Sequence, residues 1–99
     1  MPARSDYIKQ KRRRIVFSID FPDATAVYLG GDFNEWNFKK HPMKKNKKGR
    51  WEKILMLYPG KYEYKFVVDG KWNLDPDNDW RCSNCYGTFN NIIKVSPKE

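Results

Sequence analysis

Two cysteines three positions apart are the first candidates for metal or redox chemistry. Cys82 and Cys85 enclose Ser83 and Asn84, and the 99-residue chain has only these two cysteines. A structural zinc ion needs four ligands, and only His41, far away in the sequence, could add a nitrogen. A redox pair favours a helix N-terminus that lowers a thiol pKa, and no helix is indicated. We interpret both as free loop thiols; a local disulfide or a zinc site between molecules is the alternative.

Three aspartates have the spacing that begins a calcium-binding loop: Asp75, Asp77 and Asp79. The sixth position of such a loop is glycine and the twelfth is glutamate, but this chain has Trp80 and Tyr86 there. Aspartates also form turns by bonding to nearby backbone, and we prefer that interpretation. We expect no metal and no cofactor.

The composition argues against catalysis. The single histidine, His41, excludes most acid–base arrangements that depend on a pair. Glycoside hydrolysis needs two carboxylates across a cleft, and the candidate aspartates already have turn roles. A chain of this length forms one domain with one core, whereas most enzymes that process polymers need more chain to wall a cleft. We therefore predict no catalytic residues.

Trp72 and Lys65 can be placed on one sheet face from the sequence alone. Asp69-Gly70 is a hairpin turn signal, and it sets Trp72 opposite Val67, diagonal to Lys65. An exposed tryptophan beside a lysine suits a sugar, because a pyranose C–H face stacks on indole and the hydroxyls need hydrogen-bond partners. The alternative is that Trp72 packs under the 75–87 loop as part of the core.

Alternating apolar residues predict several short strands separated by Gly and Pro turns. Strands are predicted from Ile15, over Val27–Leu29, from Trp51, from Tyr62 to Val68 and over 88–95, with loops at 32–50 and 75–87. No helix is indicated. This pattern predicts an all-β, immunoglobulin-like (early-set) β-sandwich, a single domain over 14–97. Residues 1–13 are polar and basic without periodicity, and are predicted to be a disordered arm.

The basic charge of the chain is concentrated in two segments. The net charge is +8, and most cations lie in the arm or in the 39–50 loop, which fits solvated segments. A nucleic-acid or protein-interaction module using these segments is the alternative function, although we consider nucleic acid the weaker partner. No apolar run suggests a signal peptide or a membrane span, so we expect no membrane partner and a cytoplasmic location.

Four segments together resemble one known family. They are VYLGGDFNEW (27–36), PGKYEYKFVVDGKW (59–72), DP (75–76) and GTFNNIIKV (87–95). They resemble the glycogen-binding domain of AMP-activated protein kinase β subunits. That domain is part of carbohydrate-binding module family 48, which also precedes the catalytic domains of isoamylases and branching enzymes. The resemblance covers roughly residues 14–95 and implies non-catalytic binding of α-1,4-linked glucan.

The resemblance also implies which residues contact the sugar. Trp36 and Trp72 would flank the glucan, while Lys65 and Asn90 would bond its hydroxyls. Tyr86 stands where the kinase domain has a leucine that clamps the glucan, and tyrosine could stack there instead. We expect an α-glucan as the partner, together with a glucan-metabolising enzyme or a kinase; the chain ends just after the last predicted strand, so a kinase scaffold is not implied.

Overall fold

A computed structural model describes residues 11–97 as two antiparallel β-sheets packed face to face. The eight strands are β1 (Arg13–Asp20), β2 (Val27–Gly31), β3 (Lys44–Lys45), β4 (Arg50–Leu57), β5 (Gly60–Val68), β6 (Lys71–Asn73), β7 (Arg81–Ser83) and β8 (Phe89–Val95). One sheet has the order β1-β4-β3 and the other β2-β5-β8-β7, with β6 paired to the end of β5. The predicted all-β sandwich is confirmed.

The core lies between the two sheets and follows the period-two pattern. Phe17 and Ile19 of β1 are buried against Leu29 of β2 and Phe66 of β5. Trp51 closes one side of the core, and its indole N–H donates to the backbone oxygen of Phe21 at 2.8 Å. The buried positions Phe17 and Ile19 alternate with less buried neighbours along β1, as the period-two pattern of a half-buried strand requires.

The β5–β6 hairpin has the predicted turn and register. Asp69 and Gly70 have φ angles of +48° and +84°, which is the left-handed pair that a type I′ turn requires. Trp72 lies opposite Val67. The Asp69 carboxylate also accepts the backbone N–H groups of Thr25 and Ala26, both at 2.9 Å, so the turn is attached to the start of β2.

Both predicted loops contain additional structure. Residues 32–50 include 3₁₀ turns at Asp32–Asn34 and Phe38–Lys40 and the two-residue β3, while residues 75–87 include β7. Strands of two or three residues are too short to show a period-two pattern, so the sequence does not predict them. β1 begins at Arg13, inside the predicted arm; residues 1–10 of the arm lie outside the described residues. Within 11–97 no helix is long and apolar enough to cross a membrane.

Candidate functional site

A groove of about 960 Å³ lies on the outer face of the five-stranded sheet and contains all five predicted site residues. Its walls come from β5, β6, β8, the turn after β2 and the β7–β8 loop. The lining residues are Glu35, Trp36, Glu63, Lys65, Trp72, Ser83, Asn84, Cys85, Tyr86, Thr88 and Asn90. The structure thus brings together residues that are 54 positions apart in the chain.

Trp72 lines the groove and is not part of the core. Its side chain is 47% exposed, so the alternative of packing under the 75–87 loop is wrong. Phe38 supports the indole edge-to-face, with ring centroids 5.6 Å apart and planes at 86°. Gly30 lies directly beneath, where a Cβ atom would come within 3.0 Å of the indole. Glycine at this position lets the ring lie close to the sheet.

Trp36 is presented by a strained turn. Glu35 and Trp36 have φ angles of +55° and +62°, a left-handed conformation that bulky residues rarely adopt. The backbone N–H of Trp36 donates to Gly31 O at 2.9 Å, and its indole N–H donates to Asp32 Oδ1 at 3.1 Å. These bonds hold the ring with its centroid 5.9 Å from that of Trp72.

A buried asparagine stabilises the turn that carries Trp36. The Asn34 amide donates to Leu29 O at 2.9 Å and to His41 Nδ1 at 2.7 Å, and its oxygen accepts Gly31 N–H at 3.1 Å. The imidazole must be unprotonated at Nδ1 to accept this bond. Burial, and then the positive charges of Lys53 and Lys40, lower the pKa of His41, which favours that neutral form.

Lys65 and Thr88 line the middle of the groove. The Lys65 ammonium donates to Thr88 Oγ1 at 3.2 Å, which leaves two of its three N–H donors for a ligand. Burial lowers the pKa of Lys65, because the charged form loses hydration in the groove.

Asn90 faces the groove while Asn91 faces the opposite way, as alternation along a strand requires. Asn90 is only 7% exposed; its amide donates to Glu63 Oε1 at 2.8 Å and its oxygen accepts from the Asn84 amide at 3.0 Å. Asn91 accepts the N–H of Asp75 at 2.6 Å and donates to Asn78 O at 2.9 Å. Asn90 therefore both lines the groove and positions its neighbours.

The β7–β8 loop is organised around Asn84. Its amide donates to Thr88 Oγ1 at 2.8 Å, and its oxygen accepts the backbone N–H groups of Tyr86 and Thr88 at 2.9 and 3.2 Å. Tyr86 projects from this loop with 86% of its surface exposed. The aromatic ring is free to contact a molecule lying over the groove.

Glu63, Asn84 and Thr88 line the groove but were not predicted as site residues. Glu63 alternates with Lys65 along β5, so the period-two pattern could have identified it. Asn84 lies within the Cys82–Cys85 motif, and no pattern in the sequence indicates that its side chain organises the loop.

Neither cysteine is bridged, and Asp75 makes the turn expected of it. Cys82 and Cys85 are free thiols, and burial together with the Glu63 carboxylate raises the pKa of Cys82. Asp75 accepts the Tyr64 hydroxyl at 2.8 Å and the N–H of Asp77 at 2.9 Å, so it makes a turn. Over residues 11–97, no group of three His, Cys, Asp or Glu side chains could hold a metal ion.

The second part of the cationic loop, residues 44–50, borders the three-stranded sheet and does not line the groove. Lys45 donates to Pro22 O at 3.3 Å and lies 5.6 Å from the ring centroid of Trp51. Arg50 donates to Ser18 Oγ at 2.9 Å and pairs with Asp77 at 3.2 Å. These two cations stabilise the sandwich, and the nucleic-acid alternative for the loop stays a prediction.

Comparison with known families identifies the class of this domain. A family described as "Glycogen recognition site of AMP-activated protein kinase" matches residues 15–99. The chain belongs to this family. The resemblance stated from the sequence is confirmed, and with it the expected class, a non-catalytic glucan-recognition domain.

Two curated relatives illustrate the range of the family. "Protein PTST homolog 2, chloroplastic" of Arabidopsis thaliana is 38% identical over 101 residues, which cover 90% of this chain and 18% of that protein. The 5'-AMP-activated protein kinase subunit beta-1 of Homo sapiens is 44% identical over 69 residues, which cover 70% of this chain and 24% of that subunit. The chain thus spans less than a quarter of either protein.

A solved structure supports the fold independently. The crystal structure of maltogenic amylase from S. marinus superposes with a TM-score of 0.74 and 24% identity, over 86% of this chain and 14% of the amylase chain. At this identity the likeness concerns the fold, and it supports the immunoglobulin-like sandwich expected from the sequence.

Proposed function

We propose that the groove binds an α-1,4-linked glucan of the glycogen or starch type without cleaving it. The observation that carries the proposal is the arrangement of Trp36 and Trp72, whose ring planes are inclined at 61° beside Lys65 and Asn90. Two inclined platforms suit a ligand that curves, as an α-1,4-linked chain does, better than a flat one.

The aromatic residues supply most of the binding free energy in this proposal. The apolar C–H face of a glucosyl residue stacks on an indole, and rigid aromatic rings lose little conformational entropy when they bind. Trp72 is already fixed by Phe38 and Gly30, and Trp36 by its bond to Asp32. Tyr86 is largely exposed and would close over the chain after it binds.

The polar residues supply orientation. Sugar hydroxyls lose water on binding and need replacement partners, each unmade bond costing about 1–3 kcal/mol. Lys65 keeps two free donors, and the bonded set of Glu63, Asn90 and Asn84 holds further donors and acceptors in fixed positions. The groove is open to solvent along its length, so we expect weak affinity for each glucan chain.

The domain would act as a targeting module within carbohydrate-binding module family 48. We propose that it brings a glucan-metabolising enzyme or a kinase to the polysaccharide, because its relatives include a kinase β subunit. The cytoplasm stays a predicted location, since one relative is named as chloroplastic; imaging the full-length protein in its own cell would decide between the compartments.

Affinity electrophoresis tests the proposal in its simplest form. The protein is run in native gels that contain glycogen, amylopectin or dextran, against a protein that binds no sugar. We expect glycogen and amylopectin to slow migration and dextran, whose links are mainly α-1,6, to have little effect. Equal migration in all gels, by protein shown to be folded by circular dichroism, would contradict the proposal.

A further inference from the structure

A second pairing of tryptophan with lysine lies outside the groove. Trp80 is 46% exposed, and the Lys61 ammonium lies 5.6 Å from the centroid of its ring. Neither residue lines the groove. Lys61 lies in the segment 59–72 that carries the family resemblance, whereas Trp80 lies outside all four segments. The pair has the same two residue types as Trp72 and Lys65.

The two pairs share one sheet face. Lys61, Glu63 and Lys65 alternate along β5, so their side chains leave the sheet on the same side. Trp80 lies beside β8, where its backbone oxygen accepts the N–H of Ile92 at 3.0 Å. Its contact with Lys61 places the indole on the outer face. The face is therefore continuous from Trp72 through the groove to Trp80.

We propose that Trp80 and Lys61 form a second subsite for the same α-glucan chain, a step that rests on the proposed function of the groove. Trp72 lies opposite Val67, and Ile92, next to Trp80, lies opposite Glu63. Four residues along a strand separate these positions by about 13 Å. A linear glucan of several residues can run along this line, whereas a closed ring curves away from it.

The subsite is held in place before any ligand binds. The backbone N–H of Trp80 donates to Asn78 Oδ1 at 2.9 Å. Asn78 is itself anchored, because its amide donates to Tyr64 OH at 3.0 Å and to Ile92 O at 2.9 Å. Lysine contacts with exposed rings are weak, so the Lys61 ammonium can move aside and bond a hydroxyl while the sugar takes the ring face.

The test compares Trp80→Ala with the matched control Phe89→Ala. Phe89 is a comparably exposed aromatic (52%) on the adjacent strand, and alternation with Asn90 points it away from the groove face. Calorimetric titrations use linear maltodecaose and β-cyclodextrin, a closed ring that cannot extend along β5. We expect Trp80→Ala to weaken maltodecaose binding roughly three- to tenfold and leave β-cyclodextrin binding unchanged. Phe89→Ala should change neither.

Other outcomes would overturn the subsite without touching the groove. If the wild-type protein binds both sugars and Trp80→Ala has no effect, the subsite proposal is wrong while the groove proposal stands. If Trp80→Ala weakens the binding of both sugars equally, Trp80 acts through the fold and not as a subsite. Lys61→Met, a second variant with little structural risk, should weaken maltodecaose selectively. If the Trp80 region responds to heparin and not to maltodecaose, its ligand is a polyanion. If wild-type protein binds neither sugar, the proposed function itself fails.

Discussion

The ring centroids of Trp36 and Trp72 lie 5.9 Å apart and the ring planes are inclined at 61°, although Trp36 is in the turn after β2 and Trp72 is in β6. Different contacts hold each ring in place. Asp32 bonds the indole N–H of Trp36, while Phe38 and Gly30 support Trp72. The aromatic part of the site is therefore formed before the ligand arrives.

Replacing Trp72 by alanine should weaken glucan binding strongly while the sandwich still folds. The indole is half exposed, so its loss removes a stacking platform and little core. We expect at least a tenfold loss of maltoheptaose affinity, about 1.4 kcal/mol, measured by calorimetry. Phe89→Ala, an equally exposed truncation, is the control. Retained binding in folded Trp72→Ala would show that the sugar lies elsewhere.

Gly30→Ala should weaken binding without touching the ligand directly. A Cβ atom at Gly30 would lie 3.0 Å from two atoms of the Trp72 ring, so the ring must shift from its position over the sheet. We expect a severalfold loss of affinity in wild-type protein and none in a Trp72→Ala background. If Gly30→Ala instead reduces the affinity by the same factor in both backgrounds, Gly30 acts through β2 and not through the indole.

Asn84→Ala should loosen the β7–β8 loop. The side chain makes four hydrogen bonds within and beside that loop, and the substitution removes all of them. We expect faster amide exchange for residues 84–88 and weaker glucan binding, with strands β1 and β4 unaffected. Asn84→Asp keeps the oxygen that accepts from Tyr86 and Thr88, so it should restore the exchange protection; if it does not, the oxygen bonds are not what orders the loop.

Acidification should destabilise the turn that carries Trp36. The pKa of His41 in the folded protein lies below its ordinary value of 6.5, so the unfolded chain takes up the proton first as the pH falls. The free energy of unfolding should therefore be at its full value above about pH 6.5, decrease below it, and level off once the folded protein is protonated too.

The measurement is urea unfolding as a function of pH in wild-type protein and in His41→Asn. The asparagine retains an acceptor for the Asn34 amide but does not titrate, so the difference between the two curves isolates His41 from the carboxylates. We expect wild-type protein to lose more stability than the variant below pH 6.5. Parallel curves would contradict this role of His41.

Much of the fold follows from local rules that the sequence displays. Tyr64, Phe66 and Val68 alternate clearly enough to define a core face, and Asp69-Gly70 defines the turn and the register. From these the sequence places Trp72 and Lys65 on one face without a structure. The placement of Trp36 and Asn90 depends on the family resemblance, because loop conformation and distant strand pairing are not encoded in a local period.

The supports of the site could not be predicted in the same way. The bond between Asn34 and His41 depends on how residues 32–41 fold back, and nothing in their spacing indicates it. Asn84 makes contacts in a loop whose strand, β7, is only three residues long. Side chains that position other side chains act through tertiary contacts. A pattern of residue types therefore identifies the ligand-facing tryptophans more readily than the residues that hold those tryptophans in place.

The claim that the groove binds a neutral glucan is tested most directly by tryptophan fluorescence during a titration with maltoheptaose. The titration is run at low salt and at about 0.5 M salt, where charge interactions are largely screened. If a neutral sugar stacks on Trp36 and Trp72, the fluorescence should change saturably, with nearly the same midpoint at both salt concentrations. Binding through the cationic segments would weaken steeply with salt. A folded protein whose fluorescence does not respond to maltoheptaose at either salt concentration would contradict the account.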